Sequence, residues 1–115
     1  MGMNYYAVKK KPTITEPIHI GKSSAGWKFL FNTINGIPGK WDLQINTYPQ
    51  WKKWLEDNTG SDKDKEYVIL NEEDEIIDVK DLISKIEEKQ KENNPDNFTY
   101  AKNVDGYRFT ERDFS

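Results

Sequence analysis

Residues 18–31 run Ile-His-Ile-Gly-Lys-Ser-Ser-Ala-Gly-Trp-Lys-Phe-Leu-Phe and hold the only histidine of the chain. No other stretch so constrains the fold. Trp27, Phe29 and Phe31 alternate with Lys28 and Leu30, and a period of two puts the three aromatics on one face of a sheet. Lys28 and Leu30 share the other face, which the leucine predicts to be only partly wet. Gly21 and Gly26 fall where a chain needs a bulge, positive φ or close backbone approach. With the small residues Ser24, Ala25 and Gly26 between them, residues 19–23 and 27–31 read as a hairpin.

Gly21-Lys22-Ser23 invites a phosphate-loop reading, but that motif needs a glycine five positions earlier, where Glu16 stands. It also needs a helix to begin at the Lys-Ser pair, and an aromatic strand follows instead. Two readings of the polar cluster stay open. Lys22, Ser23 and Ser24 form a solvated turn, or turn N–H groups and Lys22 hold an anion or a partner's backbone.

Around this hairpin the rest of the chain reads as mixed elements. Residues 4–10 are a strand with Tyr5, Ala7 and Lys9 on one face and Tyr6 and Val8 on the other. Met1, Gly2 and Met3 read as a cloning remnant and loose start ahead of it. Lys9, Lys10 and Lys11 suggest a solvated sheet edge that discourages pairing with another chain. Residues 32–39 carry loop and turn chemistry, with Asn35-Gly36 as a tight turn. Residues 41–45 alternate as a further strand.

Thr47 is placed to cap a helix that has Pro49 in its first turn and Trp51, Trp54 and Leu55 along one stripe. Residues 61–65 form a charged loop, and 66–70 and 75–78 read as strands around the polar turn Asn71-Glu72-Glu73-Asp74. That turn lacks the glycine and spacing of a calcium loop. Asp78 caps a second helix, with Asp81 in the box position and a stripe of Leu82, Ile83 and Ile86. A last hairpin turns at Asp105-Gly106, and residues 110–114 read as one helical turn with Phe114 docked back. This order predicts a single α+β domain over residues 1–115, a small antiparallel sheet of hairpins with two helices packed on it.

Composition limits the function classes. The net charge of −3 is opposite to the basic balance of a general nucleic-acid binder. The chain has no cysteine, so disulfides and thiolate metal sites are excluded, in keeping with a reducing cytosol. No apolar run approaches the roughly 18 residues of a membrane helix, and no membrane partner is expected. His19 and Ser23, four apart on one strand, sit about 13 Å from each other and cannot form a catalytic dyad. The chain therefore reads as non-enzymatic, and no cofactor is expected.

The run from His19 to Trp27 resembles the signature of a family of small, largely uncharacterised phage and prophage proteins. Weaker likeness continues in the tryptophan helix, in Ile76-Ile77-Asp78 and in Asp105-Gly106-Tyr107-Arg108-Phe109, so it spans most of the chain. Some such proteins carry a Cys-x-x-Cys pair just before the His-Ile-Gly-Lys run, which implies a zinc ribbon. Here residues 10–17 hold no thiolate, one histidine cannot build a structural zinc site, and no metal is expected.

The resemblance implies a phage or prophage origin and a shared fold more than an activity; together with the small catalyst-free chain and its aromatic load, it leads to the expectation of an accessory protein in the bacterial cytoplasm that binds a host or defence-system protein. Its contact residues are expected in the hairpin at His19, Lys22, Ser23, Ser24, Trp27 and Lys28, and in the helix at Trp51 and Trp54. The alternative is a nucleic-acid or nucleotide module in which sheet aromatics stack bases and lysines track phosphates. A third reading makes the tryptophans core, with the contact surface elsewhere. The oligomeric state is left open.

Overall fold

The computed structural model describes residues 2–10, 17–24, 28–37, 40–91, 101–104 and 107–110, with no side-chain description at 2, 24 and 101–104. The elements in order are β1 (Gly2–Lys9), β2 (Ile18–Ser24), β3 (Leu30–Asn32), β4 (Ile34–Ile37), β5 (Lys40–Ile45), α1 (Tyr48–Asn58), β6 (Tyr67–Asn71), β7 (Ile76–Ile77), α2 (Val79–Lys89), β8 (Ala101–Val104) and β9 (Tyr107–Thr110). Seven strands form one sheet in the order β7-β6-β1-β2-β3-β9-β8, and β4 and β5 form a separate two-stranded ribbon. All pairs are antiparallel except β3 with β9. The fold is α+β, as the element order predicts.

One buried cluster joins the sheet to both helices. Tyr5, Ala7, Ile20, Phe31, Ile69 and Phe109 meet Trp51 and Leu55 of α1 and Leu82 and Ile86 of α2. Phe31 is its centre, stacked on Phe109 at 5.0 Å and tilted against Phe29 at 4.7 Å. We call the helix-covered side of the sheet its inner face. Gly21 lets the strands close over this cluster. A methyl group there would lie 2.3 Å from the Leu30 carbonyl oxygen and 2.4 Å from the Phe29 ring.

Local chemistry sets both helix starts. Thr47 Oγ1 accepts from the Gln50 amide at 3.3 Å, and Gln50 Oε1 accepts from the Thr47 amide at 3.2 Å, a capping box worth about 1 kcal/mol. Asp78 Oδ1 accepts from the Lys80 amide at 2.9 Å. The Tyr48 hydroxyl donates to Glu87 at 2.9 Å and ties α1 to α2.

Three expectations are corrected. β1 starts at Gly2 and pairs from its first residue with Ser24, so Gly2 and Met3 belong to the sheet. It lies between β2 and β6, and its lysines guard no edge. Lys9 instead pairs with Glu66 at 3.9 Å, and Lys10 Nζ donates to the Asp62 carbonyl at 2.9 Å. Ile34-Asn35-Gly36-Ile37 is strand β4, because Ile34 and Ile37 are buried against the core. Leu30 is buried and Lys28 half-buried, which agrees with a face there that is only partly wet. The expected turn at residues 110–114 lies outside the described residues, apart from Thr110, which ends β9.

Candidate binding surface

The site residues read from β2 do not stay together. Between β1 and β2 the register jumps from Tyr5↔Gly21 to Tyr6↔His19, which leaves Ile20 as an extra residue in β2. Such a bulge reverses the alternation of faces beyond it. Ser23 is therefore buried opposite Met3 on the inner face. His19 and Lys22 both act on the charge of Glu72 and share the outer face. Ser23 and His19 thus lie on opposite faces, farther from a dyad than their spacing alone puts them.

On the outer face Asn4 is the hub. It is 3% exposed; its backbone N–H donates to Glu72 Oε1 at 2.8 Å and its side-chain amide to the same oxygen at 2.5 Å. With its Nδ2 so used, Asn4 Oδ1 is the acceptor in the 2.9 Å contact to His19 Nε2, which must then carry the proton. The His19 ring stacks on Tyr6 with centroids 5.0 Å apart. The two Asn4 bonds hold the Glu72 carboxyl below the usual glutamate range, with Lys22 and His19 adding to the effect.

Beside this polar cluster lies an apolar row. The paired positions Tyr6↔Leu70 and Val8↔Val68 place four large side chains on the outer face of β1 and β6, all half-buried. A shallow groove of about 210 Å³ runs among Tyr6, Val8, Pro17, Leu70, Glu72 and Asp74. A strand with one wet face alternates apolar and polar residues, whereas β6 reads Tyr67-Val68-Ile69-Leu70 without a break. That unbroken run was the sequence signal for this surface, and pattern reading passed over it.

The helix tryptophans are corrected from contact residues to core. Trp51 is 0% exposed and donates from Nε1 to the Asn32 carbonyl at 3.0 Å; Trp54 is 8% exposed and packs on Trp51 and Tyr67. α1 has one apolar stripe, and folding consumes it. Lys28 is half-buried, and its carbonyl accepts from Arg108 at 3.1 Å. The Ser24 side chain and Trp27 lie outside the described residues.

The tryptophan that does face solvent is Trp41, 74% exposed. Its place in the alternating run 41–45 predicts the same face as buried Ile45. The ribbon's register shifts beside it: Asn35 pairs with Gln44 and Ile37 with Lys40, which leaves three residues of β5, Trp41 among them, opposite the single residue Gly36. Gly36 has φ +92°, and a methyl group on it would meet the Trp41 carbonyl oxygen at 2.7 Å.

Among the described residues no three His, Asp or Glu side chains gather as a metal site, and no helix is long and apolar enough to cross a membrane. Set against known protein families, curated proteins and solved structures, the chain matches none.

Proposed function

We propose that this is a small non-enzymatic binding protein of phage or prophage type. It acts in the bacterial cytoplasm on a protein of the host or of a defence system. The observation that carries the reading is the apolar row Tyr6, Val8, Val68 and Leu70 on the sheet face away from both helices. Aliphatic side chains on both faces of central strands suit a sheet that is covered twice, and a partner supplies the second cover. The polar cluster of Asn4, His19, Lys22 and Glu72 gives that face an oriented border for hydrogen bonds. The nucleic-acid alternative loses its main support, because Phe29 and Phe31 are buried and Lys9 and Lys10 already have partners, Glu66 and Asp62, in the segment before β6.

Affinity capture from a lysate of phage-susceptible bacteria tests the reading, with nuclease-treated and untreated arms. Wild type is run beside a Val8→Lys/Leu70→Lys variant. The expected result is a stoichiometric protein that survives nuclease and is lost with the variant. Recovery that vanishes with nuclease favours the nucleic-acid module. A partner retained by the variant places the contact surface elsewhere.

A further inference from the structure

Lys40, Trp41 and Asp42 open strand β5, and all three are exposed, Trp41 at 74%. Successive residues of a strand point to opposite faces, so both faces of β5 stand in solvent at this end. Among the described residues its ladder partner is β4 alone, since the two form a ribbon outside the seven-stranded sheet. The other edge of β5 is therefore open, and an open edge is a template for a further strand. None of the row Tyr6, Val8, Val68 and Leu70 lies in the ribbon, so this edge is a second surface.

The side chains of Lys40 and Asp42 make no hydrogen bond or ion pair with the described residues. Lys40 borders a hollow of about 150 Å³ that it shares with Lys9 and Glu66, but those two pair with each other at 3.9 Å. Charges on an edge commonly guard it against pairing. Here their order works the other way, because they flank the tryptophan with opposite signs. A symmetric antiparallel ladder between two copies has its two-fold axis at one residue. An axis at Lys40 sets lysine opposite lysine, and one at Asp42 sets aspartate opposite aspartate. A parallel pair in register again opposes like charges. An axis at Trp41 puts each Lys40 opposite Asp42 of the other copy and the two tryptophans opposite each other. Of these arrangements, that one alone satisfies both charges and covers the exposed ring.

We propose that the open edge of β5 pairs with β5 of a second copy of this chain, antiparallel about Trp41, so that two ribbons join into one four-stranded sheet. Opposite charges and aromatic rings directly across a ladder stabilise it, and like charges there destabilise it. The contact is isologous and closes at a dimer. A few residues on each side bury less than a standard interface, so association is weak, with a dissociation constant on the order of 100 μM.

The test is sedimentation equilibrium over a concentration range up to about 1 mM, which brackets that affinity. It is run on wild type, Trp41→Ala, Lys40→Asp, Asp42→Lys and an equimolar mixture of the two charge variants. All three positions are exposed, and circular dichroism checks that each variant keeps the fold. Wild type is expected to form a dimer. Trp41→Ala is expected to weaken it about thirtyfold or more, as loss of a hot-spot contact does. Each charge variant alone turns both cross-strand pairs into like-charge pairs and is expected to weaken the dimer about tenfold. The mixture is expected to return to wild-type strength, because a copy with two aspartates then meets a copy with two lysines. A wild type that stays monomeric throughout overturns the proposal, as does a Trp41→Ala variant that associates normally. Charge variants that dimerise as wild type does, or a mixture no stronger than its components, overturn it too.

Discussion

Glu72 is the residue whose charge is most plainly built into the fold. Asn4 donates to it twice, and Asn4 is itself buried and bonded to His19. These bonds favour the carboxylate, so the folded pKa lies below the unfolded one. The sign follows from linkage. The contribution is fully present above the ordinary glutamate pKa of about 4.3, and it fades as pH falls through the lower folded value. Glu72→Gln is therefore expected to lower stability at neutral pH and flatten the acid limb of the stability curve. Urea midpoints measured across the acid range check this, and an unchanged acid slope would sink it. The reverse shift occurs at Tyr48, where burial and the neighbouring Glu87 push the phenol up, so the Tyr48–Glu87 bond persists well into alkaline pH.

At the scale of elements, α1 and the β4–β5 ribbon use their tryptophans in opposite ways. Trp51 fills the core and satisfies the Asn32 carbonyl. Trp51→Ala is expected to cost about 3–5 kcal/mol, a large share of the roughly 5–15 kcal/mol a domain possesses. Trp41→Ala, at an exposed bulge, is expected to stay within about 0.5 kcal/mol of wild type. Urea denaturation followed by circular dichroism separates them, and equal costs would refute the assignment of core and surface. Both helices were legible because their signals are local: Thr47 with Gln50, Asp78, and one apolar stripe each. β4 was not legible. Asn35-Gly36 has turn chemistry, and only the burial of Ile34 and Ile37 against distant residues makes the segment a strand.

For the whole molecule, the last hairpin closes the sheet. β9 comes back beside β3 in the one parallel pair, joining Phe31 to Phe109, and Tyr107 stacks on Tyr48 at 4.4 Å. This contact spans most of the chain, and such pairings form late because the loop entropy precedes the gain. A chain shortened to end at Lys91 is expected to lose its near-UV circular dichroism and its cooperative urea transition. Retention of both would show that β1, β2, β6 and the helices fold without the hairpin.

Sequence alone determined the features that rest on near neighbours: the hairpins, the two capped helices, the close approach at Gly21 and the α+β class. A residue's own alternation, cap or glycine fixes these with partners a few positions away. Tertiary structure decided which face each side chain serves. One extra residue at Ile20 sends Ser23 to the core while His19 and Lys22 stay on the outer face, and Trp41 lies exposed where the register between β4 and β5 shifts. The helix tryptophans went inward because no other stripe of α1 could anchor it. A bulge is set by the register between strands distant in sequence, and a period-two pattern carries no record of where that register slips.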